Sequence, residues 1–294
     1  MISIIISTVN ENHLNAVSKN IEATVGVPYE IITISNHAGL RGLCEAYNLG
    51  VSQSKFDILC FMHEDIELKT FDWGKNVIKH FSDDKALGLL GVVGSTYKSS
   101  IFSGWAPYGS RKRVDYANLL QAYKFKKAPT NHYYHNPENK TLKEVAVLDG
   151  VFLCSRKQII KKHPFDQETF KRFHCYDIDI SLNIGRYYKV AVTYDVLLEH
   201  LSEGRFEREW ADATMALHKK WRNELPVNKA GFSKSDIIYS EKNSFRNLLP
   251  QLIEQGYSLK QLLIILDLSK LWELSRFVYI KLYITAIKKF VFNR

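Results

Sequence analysis

The sequence predicts an α/β protein, a mostly parallel sheet flanked by helices, with a helical C-terminal appendage. Three observations point there. Short β-branched apolar runs alternate with helix-periodic segments through residues 1–93. The runs are apolar throughout instead of alternating, as strands buried on both faces are. Beyond Pro226–Ser235, strand signals stop and helical spacing continues to Arg294.

The elements follow in order. Ile2 to Ser7 is a β-branched run and the first predicted strand. Asn10 and Asn12 can cap a helix whose Leu14, Val17 and Ile21 recur at helical spacing. A strand at Glu30–Ser35 follows Pro28, then a helix from about Leu40 to Val51 and a strand at Asp57–Met62. Phe71–Phe81 is the next helix and Leu87–Val93 the next strand. Such sheets bind ligands at the carboxyl ends of their strands, so the segments after Ser7, Ser35 and Met62 matter most. From Gly94 to Lys143 the periodicity fails, and Trp105, Tyr108, Tyr116 and Tyr123 stand among Gly, Ser, Lys and Asn. A stretch this long predicts a functional excursion or lid. Val145–Cys154 resumes as strand and Arg156–Lys162 as helix. A helix begins near Asp177, a strand covers Lys189–Tyr194, and helical spacing spans Arg208–Trp221.

The chain has 294 residues and a formal net charge of +9, which favours an anionic partner. Nucleic acid, phosphorylated small molecules and an anionic membrane surface compete. No nucleic-acid module is present and the basic residues are spread along the chain, so nucleic acid is set aside. Met1–Ser7 is too short for a signal peptide, and no apolar run reaches the length of a spanning helix. Cys44, Cys60, Cys154 and Cys175 form no C-x-x-C pair, which suggests buried free thiols in a reducing compartment. The expected location is the cytoplasm, with peripheral placement on the inner face of a membrane as an option.

The sequence lacks a phosphate-binding G-x-x-x-x-G-K-[ST] loop, a G-x-G-x-x-G after the first strand, a G-x-S-x-G elbow and any zinc-site spacing. His132-Tyr133-Tyr134-His135 is read as ordinary loop. Three signals remain. His63-Glu64-Asp65 follows a buried strand, where carboxylates could hold a hard cation against a diphosphate or simply cap the next helix. Asp177 opens a helix and could be a cap or a general base. His200, after Glu199 near a strand end, could be structural or complete a metal site.

The order and spacing of these segments resemble the family-2 glycosyltransferases of GT-A fold, in the branch whose D-x-D motif takes an H-x-D form. Ile4-Ile5-Ile6-Ser7-Thr8-Val9-Asn10 is similar to their donor-binding opening, and Ala46-Tyr47-Asn48-Leu49-Gly50 to their A-x-N-x-G helix. His63-Glu64-Asp65 takes the place of D-x-D. Val147-Leu148-Asp149-Gly150, Arg156, Phe165-Asp166 and Tyr176-Asp177-Ile178-Asp179-Ile180-Ser181-Leu182 resemble the D-G…R…F-D-E…E-D-x-D-L-S-L series. The resemblance covers about Ile2 to Ser202. His63 stands in place of the first Asp, Tyr176 in place of Glu, and Asn183 where Arg is frequent.

The resemblance implies an inverting transfer from a nucleotide-sugar, with a UDP-sugar foremost, to a glycan or lipid-linked acceptor in bacterial-type surface polysaccharide or glycoconjugate synthesis. It implies that Thr8, Asn10, Asn36, Asn48, His63, Glu64 and Asp65 face the donor. Asp65 and His200 would ligate Mn2+ or Mg2+, and Asp177 would be the base. Asp149 and Gly150 would lie by the transferred sugar or acceptor, and Trp105 in the excursion offers a face for a sugar ring. The domains expected are a catalytic 1–225, divided into a nucleotide-binding 1–94 and an acceptor half 95–225, and a helical 226–294. The tail 259–294 mixes Leu, Ile, Phe and Tyr with Lys and Arg, which suits the membrane interface, the catalytic body or a second subunit of a homo-oligomer. A catalytically silent nucleotide-sugar-binding scaffold at a membrane assembly is the alternative that the altered His63 motif raises.

Overall fold

The computed structural model describes residues 1–37, 39–123, 128–201 and 208–292. Ser202 and Arg294, the expected ends of the resemblance and the tail, lie outside the described residues. In chain order the elements are β1 (Ile2–Thr8), α1 (Glu11–Thr24), β2 (Tyr29–Ser35), α2 (Leu43–Gln53) and β3 (Ile58–Met62). Next come β4 (Ile66–Leu68), α3 (Trp73–Asp83), β5 (Leu87–Gly91), β6 (Val93–Ser95), β7 (Tyr97–Lys98) and β8 (Asp115–Ala122). They are followed by β9 (Asn131–His135), β10 (Leu142–Glu144), β11 (Val147–Leu148), β12 (Phe152–Arg156) and α4 (Lys157–Lys162). Then come α5 (Tyr176–Gly185), β13 (Lys189–Thr193), β14 (Leu198–Leu201) and α6 (Arg208–Lys220). The last are β15 (Val227–Asn228), α7 (Lys234–Glu254), α8 (Leu259–Leu268), α9 (Leu271–Leu274) and α10 (Arg276–Phe292).

The chain forms two compact units, one of residues 1–94 with 115–205 and the other of 95–114 with 206–294. In the first, a seven-stranded sheet has the order β10-β13-β5-β12-β3-β1-β2. β1 runs parallel to β2 and β3, and β13 parallel to β5. The parallel run is interrupted by β12, which enters antiparallel between β3 and β5. Ile2, Ile4, Ile5 and Ile6 of β1 are wholly buried, as a central strand covered on both faces requires. Asn10 caps α1 by accepting from the backbone N–H groups of Asn12 and His13. Gly50 lets α2 lie against β1, because a Cβ there would meet Ile5 Cγ2 at 2.4 Å.

The stretch 94–143, expected to be irregular, carries paired strands. β8 pairs with β9 antiparallel and with β14 parallel, in a second sheet of order β11-β6-β8-β14-β4. The expected loop 132–135 is strand β9. His132 Nε2 lies 3.1 Å from Asn118 Oδ1, and His135 bonds the Asp115 carbonyl.

The second unit is mainly helical, and the expected boundary at 225/226 falls inside it. Phe245, Leu248, Leu249 and Leu252 of α7 form one core with Leu262, Ile265 and Leu266 of α8 and with Leu282 and Ala286 of α10. The buried carboxylate of Glu241 on α7 pins the loop 97–101 to this core. It accepts hydrogen bonds from Tyr97 Oη (2.5 Å), Ser100 N (3.3 Å), Ser100 Oγ (2.5 Å) and Ile101 N (3.1 Å). Lys98, also wholly buried, donates to Ser103 O at 3.0 Å and Ser103 Oγ at 2.8 Å. Buried charges persist only when partners satisfy them in this way.

Candidate active site

The exit of β3 and the turn before α5 meet at the carboxyl edge of the large sheet. His63 and Asp65 stand two residues apart in the bend between β3 and β4. β4 follows and pairs antiparallel with β14, setting His200 opposite Ile66. The three side chains converge. His63 Nδ1 is 3.8 Å and His200 Nε2 3.5 Å from the same oxygen, Asp65 Oδ1.

This cluster fits a metal ion. Its three donor atoms all lie within 4.8 Å of one another, and no other such group occurs among the described residues. Bonds of about 2.1 Å to an octahedral ion set adjacent donors about 3.0 Å apart and opposite ones about 4.2 Å apart. His200 Nε2 is buried with no hydrogen-bond partner, an orphan that a cation would satisfy. Burial first, and His200 second, lower the pKa of His63, which keeps the imidazole neutral as a ligand must be. Burial works to raise Asp65, but His200 and His63 outweigh it and hold the carboxyl ionised below its ordinary range. The sequence had offered Asp65 and His200 as ligands. The structure brings His63, expected on the donor side, into the same cluster.

Glu64, between the two donors, turns the other way. Its carboxylate accepts from Thr8 Oγ1, from Val9 N at 3.3 Å and from Asn10 N at 3.2 Å. It thereby ties the β1–α1 loop to the β3 exit. The Asn10 side chain is occupied by its cap, and Asn36 closes its own loop through both backbone groups of Arg41. Asn48 reaches from α2 to Phe165, donating to its carbonyl at 2.9 Å and accepting from its N–H at 3.1 Å. These residues shape the loops at the sheet edge through hydrogen bonds within the protein. Trp105 belongs to the second unit, where it is half-buried.

Asp177 lies in the first turn of α5, after Cys175, which holds a left-handed φ of 67°. That conformation costs a non-glycine residue about 1–2 kcal/mol, and such strain gathers at functional sites. Asp177 is not the cap. Its Oδ2 accepts from Gly150 N at 3.1 Å and its Oδ1 from Ile178 N at 2.9 Å. Burial, with the nearby Asp149 carboxylate second, pushes its pKa up to about 7. Asp149 in turn accepts from Val151 N at 2.9 Å. A carboxyl poised near neutrality can take a proton and release it again.

The sequence view missed the neighbour of Asp177. Tyr176 Oη lies 2.8 Å from His63 Nε2. Tyr47 and Phe165 pack against its ring with centroids 5.7 Å and 6.5 Å away. A Cβ at Gly150 would stand 2.0 Å from the same phenol oxygen, so the glycine makes room for it. The available signal was that His63 and Tyr176 both depart from the family pattern.

The chain matches the glycosyltransferase-like family over residues 3–222. It belongs to that family. No curated protein matches it. Among solved structures it is similar to GalNAc-T7 with UDP, GalNAc and Mn2+, with a TM-score of 0.53 and 11% identity over 76% of this chain. The chain spans about half of that structure, 48% of its length. It is also similar to the mannosyltransferase PcManGT from Pyrobaculum calidifontis, in complex with GDP-Man and Mn2+. There the TM-score is 0.50 at 12% identity, over 100% of this chain and 87% of the other. These likenesses show the fold. The glycosyltransferase-like chain has the GT-A-type architecture, in which the carboxyl edge holding His63, Asp65 and Asp177 is the natural place for a ligand.

Proposed function

We propose that this chain is a metal-dependent, inverting glycosyltransferase that moves a sugar from a nucleoside diphosphate donor to a hydroxyl group. The observation that carries this reading is the pairing of a three-donor metal cluster with a carboxyl at about 7 on the same sheet edge. A silent binding protein would need no such proton acceptor. The acceptor oxygen attacks the anomeric carbon while its proton passes to Asp177. The bond from that carbon to the diphosphate breaks, and its electron pair leaves with the diphosphate from the opposite face. A divalent cation bound by His63, Asp65 and His200 would supply charge neutralisation for the departing diphosphate. Two imidazoles and one carboxylate suit Mn2+ better than Mg2+, which prefers oxygen ligands. UDP, GalNAc and Mn2+ on GalNAc-T7, and GDP-Man and Mn2+ on PcManGT, support the same choice of partner. Thr8, Asn10, Asn36, Asn48 and Glu64 shape the donor side, with a UDP-sugar as the first donor to test. Asp149 and Gly150 lie beside the base on the sugar side.

The acceptor in this reading is lipid-linked, and α10 supplies the reason. Phe277, Ile280, Ile284 and Val291 are 78%, 50%, 47% and 58% exposed, and the helical repeat sets them along one face. Its only charged residues are Arg276, Lys281, Lys288 and Lys289. An apolar face flanked by bases suits an anionic membrane surface. No helix among the described residues is long and apolar enough to cross a membrane. The function as a whole is tested by screening nucleotide-sugars for release of nucleoside diphosphate with Mn2+ present. Release by the parent chain and none by Asp177→Asn is the expected result. Release at parental rate by that variant contradicts the assignment of the base.

A further inference from the structure

The two positions at which the chain departs from its family's acidic motifs touch each other. His63 and Tyr176 are 113 residues apart in sequence, yet Nε2 and Oη lie 2.8 Å apart. A carboxylate ligand has no tautomer to fix. An imidazole has one proton when neutral, and the nitrogen that carries it cannot bind a cation. Nδ1 faces Asp65 Oδ1 at 3.8 Å, beyond hydrogen-bonding reach, and Oδ1 is the oxygen that His200 Nε2 also approaches. Nε2 therefore has the hydrogen-bond partner, and Nδ1 faces the donor cluster. The phenol is well anchored, by the Tyr47 and Phe165 rings and by the space left at Gly150. A partner that orients a metal-binding histidine needs this rigidity.

We infer that Tyr176 is a positioning residue for the metal centre: its Oη accepts the Nε2 proton of His63 and leaves the Nδ1 lone pair for the cation. His63 and Tyr176 then form a functional unit, a ligand with the group that fixes its tautomer. The inference rests on the metal reading above, and a titration of the metal-free full chain with Mn2+ alone, followed by electron paramagnetic resonance, separates the two. The parent binds Mn2+, and Tyr176→Phe weakens binding about 10–100-fold while the metal-free variant still unfolds in a single cooperative transition. In a His63→Ala background the same change does nothing further. Parental affinity in Tyr176→Phe, or losses that simply add in the double variant, overturn the positioning role and leave the metal reading standing. A parent that binds no Mn2+ overturns both. Nitrogen-15 spectra of the metal-free parent give a check that needs no variant. They show His63 protonated at Nε2, and protonation at Nδ1 overturns the inference.

Discussion

Asp177 holds its proton more tightly than an ordinary carboxyl because burial, and then Asp149, disfavour its charge. As the proposed base it must be ionised to work, so transfer should rise with pH through about 7 and level off above it. Asp177→Asn should lower transfer by about 10²–10⁴-fold. The same shift has a consequence for stability. Its folded-state pKa lies above the unfolded value, so the stability it contributes is full below about pH 4 and is lost as pH rises through about 7. The Asn variant should therefore gain on the parent between pH 5 and pH 8, by thermal unfolding at each pH. A variant that loses ground over that range contradicts the raised pKa. Much of this residue-level chemistry was legible, since His63, Asp65 and Asp177 stand after a strand or at a helix start. The His63–Tyr176 contact was not, because spacing along the chain says nothing about a hydrogen bond spanning 113 residues.

Elements differ in how plainly their sequences announce them. β1 and β3 are continuous apolar runs and were visible at once. β9 is Asn-His-Tyr-Tyr-His, with most of its residues exposed, and pairs on one side with β8. Such an edge strand carries little of the apolar signal that marks a buried one. The segment Val145–Cys154 was visible, but not its division into β11 and β12 nor the direction of β12, because a fully buried run reads the same either way along the sheet. The tail needed the structure as well. Leu262, Ile265 and Leu266 of α8 are in the core of their unit, while α10 keeps an exposed apolar face. The full chain should sediment with phosphatidylglycerol vesicles at low salt. Changing Lys281 and Lys288 together to Gln should cost about 2 kcal/mol of that binding. A full chain that stays in the supernatant rules out the membrane role. Glu241 on α7 offers an independent test of packing. Its replacement by Ala strands the Tyr97, Ser100 and Ile101 donors in the core. Urea unfolding should register a loss of about 3–5 kcal/mol, and a loss under 1 kcal/mol would show that the network contributes little.

For the whole molecule, family membership and the GT-A-type fold agree with the order of motifs along residues 3–222. Under the proposed function the basic charge would serve a diphosphate donor and an anionic membrane surface. The division into units was less legible. Residues 95–114 join the helices that follow residue 205; the break at Gly94 shows in the sequence, but nothing in it marks the crossings at 114/115 and 205/206. In the proposed function His63, Asp65 and His200 hold the cation through which a donor diphosphate binds. Calorimetry of UDP binding, with Mn2+ and with EDTA, tests it most directly. Binding should need Mn2+, disappear in His200→Ala and persist in Asp177→Asn. Affinity for UDP that is the same with EDTA as with Mn2+ would contradict it.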